Sequence, residues 1–359
     1  MSAPGARPRI VVGLSGGVDS SLAAALLVEQ GFDVVGVTLH LAGSTSRCCS
    51  LDDADDARRV AGRLGIRFFV ANYQDEFRRE VMEPFADAYL AGRTPIPCVA
   101  CNQRFKFGRL LARARALGAD AVATGHYARI ARDPASGELR LLRARDLGKD
   151  QTYFLFDLGQ SQLARIRFPL GELTKAEVRE RARALGLPTA EKPESQEICF
   201  VPDRDYAKVV EQLRPGAAPG PGEIVDGAGR VLGRHGGIHR YTVGQRRALG
   251  VSGSERLYVR ALDAERNRVV VAPEAGLAVG GARLEDVRWT GAPPAAPIRA
   301  VVRIRYRHAG AAASIEPDAD GGARVAFESP VAALAPGQAA VFYDGERVLG
   351  GGWIAGALP

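Results

Sequence analysis

The segment that most constrains this 359-residue chain lies near its start. Arg9-Ile10-Val11-Val12 is a β-branched run, and Gly13-Leu14-Ser15-Gly16-Gly17-Val18-Asp19-Ser20-Ser21 follows it directly. Leu22 to Gln30 is then rich in helix-forming Ala and Leu and stops at Gly31. That order predicts a strand, a glycine turn and a helix. In such a unit successive backbone N–H groups and a helix N-terminus converge on one spot, which favours an anion. Gly16 and Gly17 let phosphate approach the backbone, while Ser15, Ser20 and Ser21 add hydroxyl donors. The turn lacks a Gly-Lys-Ser/Thr ending, so it is not a Walker A loop.

The chain beyond the turn repeats the same alternation. Phe32 to His40 reads as a buried strand, Asp52 to Leu64 as a helix with Ala54, Ala57, Val60, Ala61 and Leu64 on one face, and Arg67 to Ala71 as a third strand. Helices near Asp75–Leu90 and Phe107–Leu117 precede a strand running into Ala123-Thr124-Gly125-His126. Strands separated by helices of this length predict βαβ units and a parallel α/β sheet of Rossmann-like type. Ligands then bind beyond the carboxyl ends of the strands, which brings the glycine turn, Leu39 and Thr124-Gly125-His126 together. Thr174-Lys175-Ala176-Glu177 reads as a capping box opening a helix that ends at Gly186.

Composition shifts at Arg214-Pro215-Gly216-Ala217-Ala218-Pro219-Gly220-Pro221-Gly222, which reads as a linker. Beyond it, short alternating strands with glycine turns replace helices. The domains expected are therefore 1–213 (α/β), 214–273 (small and β-rich) and 274–359 (a β-barrel). Arg299 to Arg307 reads as one strand with Arg303, Arg305 and Arg307 on a single face, a stripe suited to tracking phosphates.

Lys and Arg number 48 against 41 Asp and Glu, a net charge of +7. That balance suits a polyanion partner such as RNA, and equally a solvated arginine-rich surface. No apolar run approaches the ~20 residues of a membrane span. Met1 to Pro8 has no apolar core of a signal peptide, so a cytoplasmic location without membrane partners is expected. Five cysteines in such a protein argue against a disulfide framework. Cys98-Val99-Ala100-Cys101 is a CxxC and Cys199 stands apart. Core packing, half a zinc site and thiol chemistry all remain open for them.

The SGGVDS stretch resembles the PP-loop of the ATP pyrophosphatases, which cleave ATP to AMP and pyrophosphate. The chain as a whole resembles the bacterial tRNA-specific 2-thiouridylases. The motifs GLSGGVDSS, GRTPIPCVACN, ATGHYAR, KDQTYFL, SQEICFV, YTVGQRRALG, RIRYR and PGQAAVFYDGERVLGGG carry the likeness across nearly all of its length. The resemblance implies a sulfurtransferase that thiolates the wobble uridine of tRNAs for Lys, Glu and Gln, with ATP and Mg2+ as cofactors. It places Gly13, Leu14, Ser15, Gly16, Gly17, Val18, Asp19, Ser20, Leu39 and Gly125 around ATP. Ile96, Pro97 and Cys98 would meet the target base. His126, Lys149, Asp150, Gln151, Arg305, Tyr306 and Gln338 would touch tRNA. It further implies a persulfide on Cys199, supplied by a cysteine desulfurase or sulfur-relay protein. Cys101 would be the attacking nucleophile, a transient Cys101–Cys199 disulfide would form, and a thiol reductant would reset it.

Two positions depart from the better-known form of the family, which has Asn and Asp where this chain has Ile96 and Cys98. That Asp is given an acid–base role, so Cys98 either performs it as a thiol or the role is dispensable. The departure also opens a second chemistry, an iron–sulfur cluster held by Cys98, Cys101 and Cys199, with Cys48-Cys49 near. A PP-loop synthetase acting on a small metabolite, and a non-catalytic ATP-sensing or RNA-binding module, are the other readings.

Overall fold

The computed structural model describes residues 7–43, 51–194, 197–201, 203–251 and 255–358. Cys48, Cys49, Ser195 and Gln196 lie outside the described residues. The chain divides into two units: residues 1–81, 98–202 and 346–348 form the first, and residues 82–97, 203–345 and 349–359 the second.

In the first unit, β1 (Arg9–Gly13) leads to α1 (Val18–Glu29), β2 (Asp33–His40), α2 (Leu51–Leu64) and β3 (Arg67–Asn72). Strand β4 (Ala121–Ala123) pairs with β1 on its other side, so β1 is central and every pairing on it is parallel. The chain fills one side of β1 through β2 and β3, then crosses to the other, which creates a switch point at β1/β4 where α/β sheets bind ligands. Helix α1 is apolar all round because it is covered all round. Leu22 and Leu26 pack with Val178 and Ala182, while Ala24 and Leu27 pack with Val12, Val34 and Ala57.

Two helices depart from the 3.6-residue repeat. The stretch expected as one helix near Asp75–Leu90 consists of α3 (Gln74–Phe77), a π-helical turn over Arg78–Met82, and α4 (Glu83–Leu90). The helix expected from Phe107 begins earlier, as α5 (Pro97–Cys101), and winds as a π-helix over Asn102–Arg109 before α6 (Leu110–Ala116). A π turn inserts one extra residue and shifts every later side chain around the axis, and such turns cluster at functional sites. A hairpin of β5 (Arg129–Arg132) and β6 (Leu139–Leu142) follows, its second strand pairing with Arg347 and Val348. The short α7 (Gln160–Leu163) precedes β7 (Ile166–Arg167), which extends the parallel sheet beside β4, and α8 (Lys175–Ala184) opens on the predicted capping box at Thr174.

In the second unit, α9 (Tyr206–Leu213), not anticipated from the sequence, lies against residues 82–97. Tyr206 stacks on Tyr89 at 4.4 Å between centroids, and Arg214 reaches Asp87 at 2.7 Å. Four strands, β8 (Gly222–Val225), β9 (Val231–His235), β10 (Leu257–Asp263) and β11 (Arg268–Pro273), make a small sheet around Ile224, Ile238, Val259 and Val269. Six more form the barrel: β12 (Ala278–Trp289), β13 (Ile298–Arg303), β14 (Ala311–Pro317), β15 (Ala323–Ala332), β16 (Ala339–Asp344) and β17 (Arg347–Leu358). Pairing of β12 with β17 closes it.

The expected Arg299–Arg307 strand is overturned. β13 ends at Arg303, and Arg305 and Tyr306 lie in the turn that follows. The Arg303 guanidinium folds back onto that turn, donating to the backbone carbonyls of His308 at 2.9 Å and of Tyr306. Bonding there bends the chain away from the strand, so the three arginines share no strand face.

Candidate active site

The glycine turn closes through its own side chains. The Leu14 amide donates to the Val37 carbonyl and Thr38 Oγ1 to the Leu14 carbonyl, which anchors the turn to β2. Ser20 Oγ accepts from the Ser15 amide at 3.1 Å, and Ser21 Oγ donates to the Gly17 carbonyl at 2.9 Å. Gly16 has φ +71°, and a Cβ there would lie 2.3 Å from the Asp53 carbonyl oxygen, so no other residue fits. Gly125, after β4, packs as closely: its Cβ would stand 2.7 Å from the backbone of Asp19 and Ser20. The structure thus brings Gly125 against the 13–20 turn, with Leu39 buried on the neighbouring β2.

Asp19, one residue into α1, is the centre of a charged cluster. Tyr127 donates its hydroxyl to Asp19 Oδ1 at 2.8 Å, and Lys175 Nζ bridges both Asp19 oxygens at 2.7 and 2.8 Å. Lys175 also reaches Glu194 at 2.9 Å, and Lys149 holds the other Glu194 oxygen at 2.6 Å. Burial, then the Asp19 charge, pushes the Tyr127 phenol far above its ordinary value, so it stays a donor. Burial alone would raise the Glu194 carboxyl, but the bonds from Lys149 and Lys175 outweigh it and hold Glu194 ionised. Lys175 and Glu194 were not among the residues singled out from sequence for this site. The available signal was a lysine on the first turn of α8, where the helix dipole disfavours a cation.

The cysteines lie in the same unit, and Cys98, Cys101 and Cys199 are each partly exposed. Phe77, wholly buried, links them. Its ring meets Phe105, one turn beyond Cys101, at 5.4 Å and Phe200, next to Cys199, at 5.8 Å. Asn102, beside Cys101, donates to the Phe154 carbonyl at 3.0 Å. Among the described residues, no three His, Cys, Asp or Glu side chains are placed to share a metal.

Several residues expected at tRNA are engaged inside the protein. His126 is buried, bonded to Thr124 Oγ1 through Nδ1 at 2.8 Å and flanked by Phe107 and Phe168. Burial, then the Lys106 charge, keeps its imidazole neutral. Asp150 is buried against Arg143 and Thr152, and Gln151 Oε1 accepts the Tyr127 amide. In the second unit Gln338 Nε2 donates to the Thr94 carbonyl, and Gly337 packs on Thr94. That contact joins the GRTPIP and PGQ motifs. Arg305 is exposed and Tyr306 half-buried.

Three family models match consecutive stretches. They are a tRNA methyl transferase HUP domain over residues 8–203, a tRNA methyl transferase PRC-barrel domain over 210–273 and an aminomethyltransferase beta-barrel domain over 279–354. A tRNA-specific 2-thiouridylase MnmA from Geobacter metallireducens is 52% identical over 98% of this chain and 98% of its own. One from Chloroflexus aggregans is 53% identical over 96% of this chain and 98% of its own. This chain belongs to the tRNA-specific 2-thiouridylase family. Members are sulfurtransferases acting on tRNA uridine, and the HUP match assigns the α/β unit to nucleotide binding. Among solved structures, a U34-tRNA thiolase NcsA from Methanococcus maripaludis with its 4Fe-4S cluster overlaps 59% of this chain and 69% of its own, at 19% identity and a TM-score of 0.37. That overlap is too partial to bear on chemistry. Among the described residues, no helix is long and apolar enough to cross a membrane.

Proposed function

We propose that this protein thiolates the wobble uridine of tRNAs for Lys, Glu and Gln by ATP activation followed by sulfur transfer through Cys199 and Cys101. The observation that carries the reading is the shared ring Phe77, which supports the helix following Cys101 and the segment bearing Cys199 together. Both cysteines belong to the unit that holds the glycine turn.

In this reading Gly13 to Ser20, with Leu39 and Gly125, cradle ATP. The uridine C2 oxygen attacks the α-phosphorus and pyrophosphate leaves. The terminal sulfur of a Cys199 persulfide then bonds to C2, and AMP departs with the oxygen. Cys101 thiolate attacks Cys199 Sγ, the persulfide S–S bond breaks, and its electron pair remains on the sulfur at C2 as the thiocarbonyl. The disulfide left between Cys101 and Cys199 consumes a two-electron thiol reductant. Without adenylation the C2 oxygen is a poor leaving group, and without a bound sulfur carrier water would restore uridine. Mg2+ would neutralise phosphate charge, and Asp19, whose oxygens already hold Lys175 and Tyr127, could take it only by giving up one of those bonds. Ile96, Pro97 and Cys98 would line the target base, and Lys149, Arg305 and Tyr306 would contact tRNA together with His126, Asp150, Gln151 and Gln338.

The test incubates the protein with unmodified tRNA, ATP, cysteine and a cysteine desulfurase, then analyses nucleosides for 2-thiouridine. Wild type should form it and Cys199→Ser should form none, while both bind ATP equally. Equal thiouridine from wild type and Cys199→Ser would refute the persulfide route.

A further inference from the structure

The cluster at Asp19 contains a residue that the glycine turn does not supply. An ammonium has three N–H donors. In Lys175 they face three carboxylate oxygens, two of Asp19 at 2.7 and 2.8 Å and one of Glu194 at 2.9 Å. The side chain is only 12% exposed, and it sits at the first position of α8, where the helix dipole opposes a positive charge. A largely covered cation in an unfavourable field, fully engaged by carboxylates beside an anion-binding turn, is placed for a ligand that carries negative charge. A phosphate oxygen arriving at the N-terminus of α1 can reach Lys175 only by displacing one of those carboxylates. Asp19 is bonded by Tyr127 as well as Lys175, so Glu194, which keeps Lys149 when it lets go, is the partner that yields.

We propose that Lys175 is a further phosphate-binding residue of the nucleotide site, held in readiness by Asp19 and Glu194, and that nucleotide binding replaces its bond to Glu194. The inference rests on the ATP-dependent reading above and deepens it. No bond is made or broken covalently. The ammonium exchanges one anionic partner for another, and the tight, charged contact is one that the adenosine portion alone would not use.

The predictions for the ammonium and for its carboxylate partner have opposite signs. Lys175→Gln should weaken ATP binding, measured by calorimetry, about 10- to 100-fold, the range for a lost charge-assisted hydrogen bond to phosphate, and leave adenosine binding unchanged. Lys175→Arg should recover part of the loss. Glu194→Gln removes the competitor and should tighten ATP binding a few-fold. A lysine that only braces the fold would weaken ATP and adenosine alike, and Glu194→Gln would then weaken ATP too. Either result overturns the proposal, as does ATP affinity in Lys175→Gln within twofold of wild type. If wild type itself binds no ATP or makes no thiouridine, the functional reading fails instead, so the two failures are distinguishable. Thermal unfolding of each variant separates loss of fold from loss of binding.

Discussion

Within the first unit the nucleotide end and the cysteine end are held together by different physics. Around Asp19 the contacts are an ammonium, a phenol and two carboxylates, at separations of 2.7 to 2.9 Å. Around Cys101 and Cys199 the supports are Phe77, Phe105 and Phe200, joined by Tyr73 and by Arg109 lying 5.2 Å from the Phe105 ring. A charged cluster exchanges partners readily, since a phosphate oxygen can take the place of a carboxylate oxygen on the same ammonium. Interlocked rings cannot exchange anything without opening a void. The comparison teaches that the nucleotide end is built to respond and the cysteine end to keep its frame.

The strongest way to break that contrast is Phe77→Ala. Removing a wholly buried ring on which two others pack should cost about 3–5 kcal/mol. In the fraction that stays folded at low temperature, thiouridine formation should fall while ATP binding is retained. Denaturant titration gives the first quantity and calorimetry the second. A cost below about 1 kcal/mol would mean that the rings are not the frame of the cysteine end. Gly16→Ala reverses the contrast with a smaller expected effect. The left-handed φ of +71° costs an alanine about 1–2 kcal/mol before its Cβ meets the Asp53 carbonyl. ATP affinity should drop sharply, while iodoacetamide labels Cys101 and Cys199 at the wild-type rate. Slower or faster labelling would show that the two ends are coupled through the backbone.

Much of the nucleotide end was legible in the sequence because its signals are local. A strand, two glycines and a helix lie within one short window, and the capping box at Thr174 to Glu177 is equally local. Lys175 was not legible there, because what defines it is a contact with Asp19 across 156 positions. The π-helical stretches at Arg78–Met82 and Asn102–Arg109 were missed because one extra residue in a turn leaves no mark on an apolar repeat. The alternation of Arg303, Arg305 and Arg307 suggested a strand face, yet the bonds from Arg303 to the following turn end the strand. The family resemblance puts His126 and Asp150 at tRNA, and only packing reveals their burial.

His126 offers the finest test, because it touches both ends. It follows Gly125, which abuts the Asp19 turn, and its ring meets Phe107, on the helix that continues from Cys101, at 5.8 Å. Burial holds its pKa well below the ordinary value of 6.5. Between that depressed value and 6.5 the unfolded chain binds a proton that the folded chain does not. Stability is therefore fully present above pH 6.5 and falls on acidification, by about 1.4 kcal/mol per pH unit for this one group. His126→Asn keeps a polar contact for Thr124 but does not titrate there. It should lower stability at neutral pH, through lost ring packing, yet flatten the slope between pH 6.5 and 5.5 by about that amount, so that the gap to wild type narrows on acidification. Some slope should persist from His235 and His308, whose values burial also lowers. An unchanged slope in His126→Asn would mean that the imidazole is hydrated in solution. The nucleotide end and the ring frame would then meet through water, not through packed side chains.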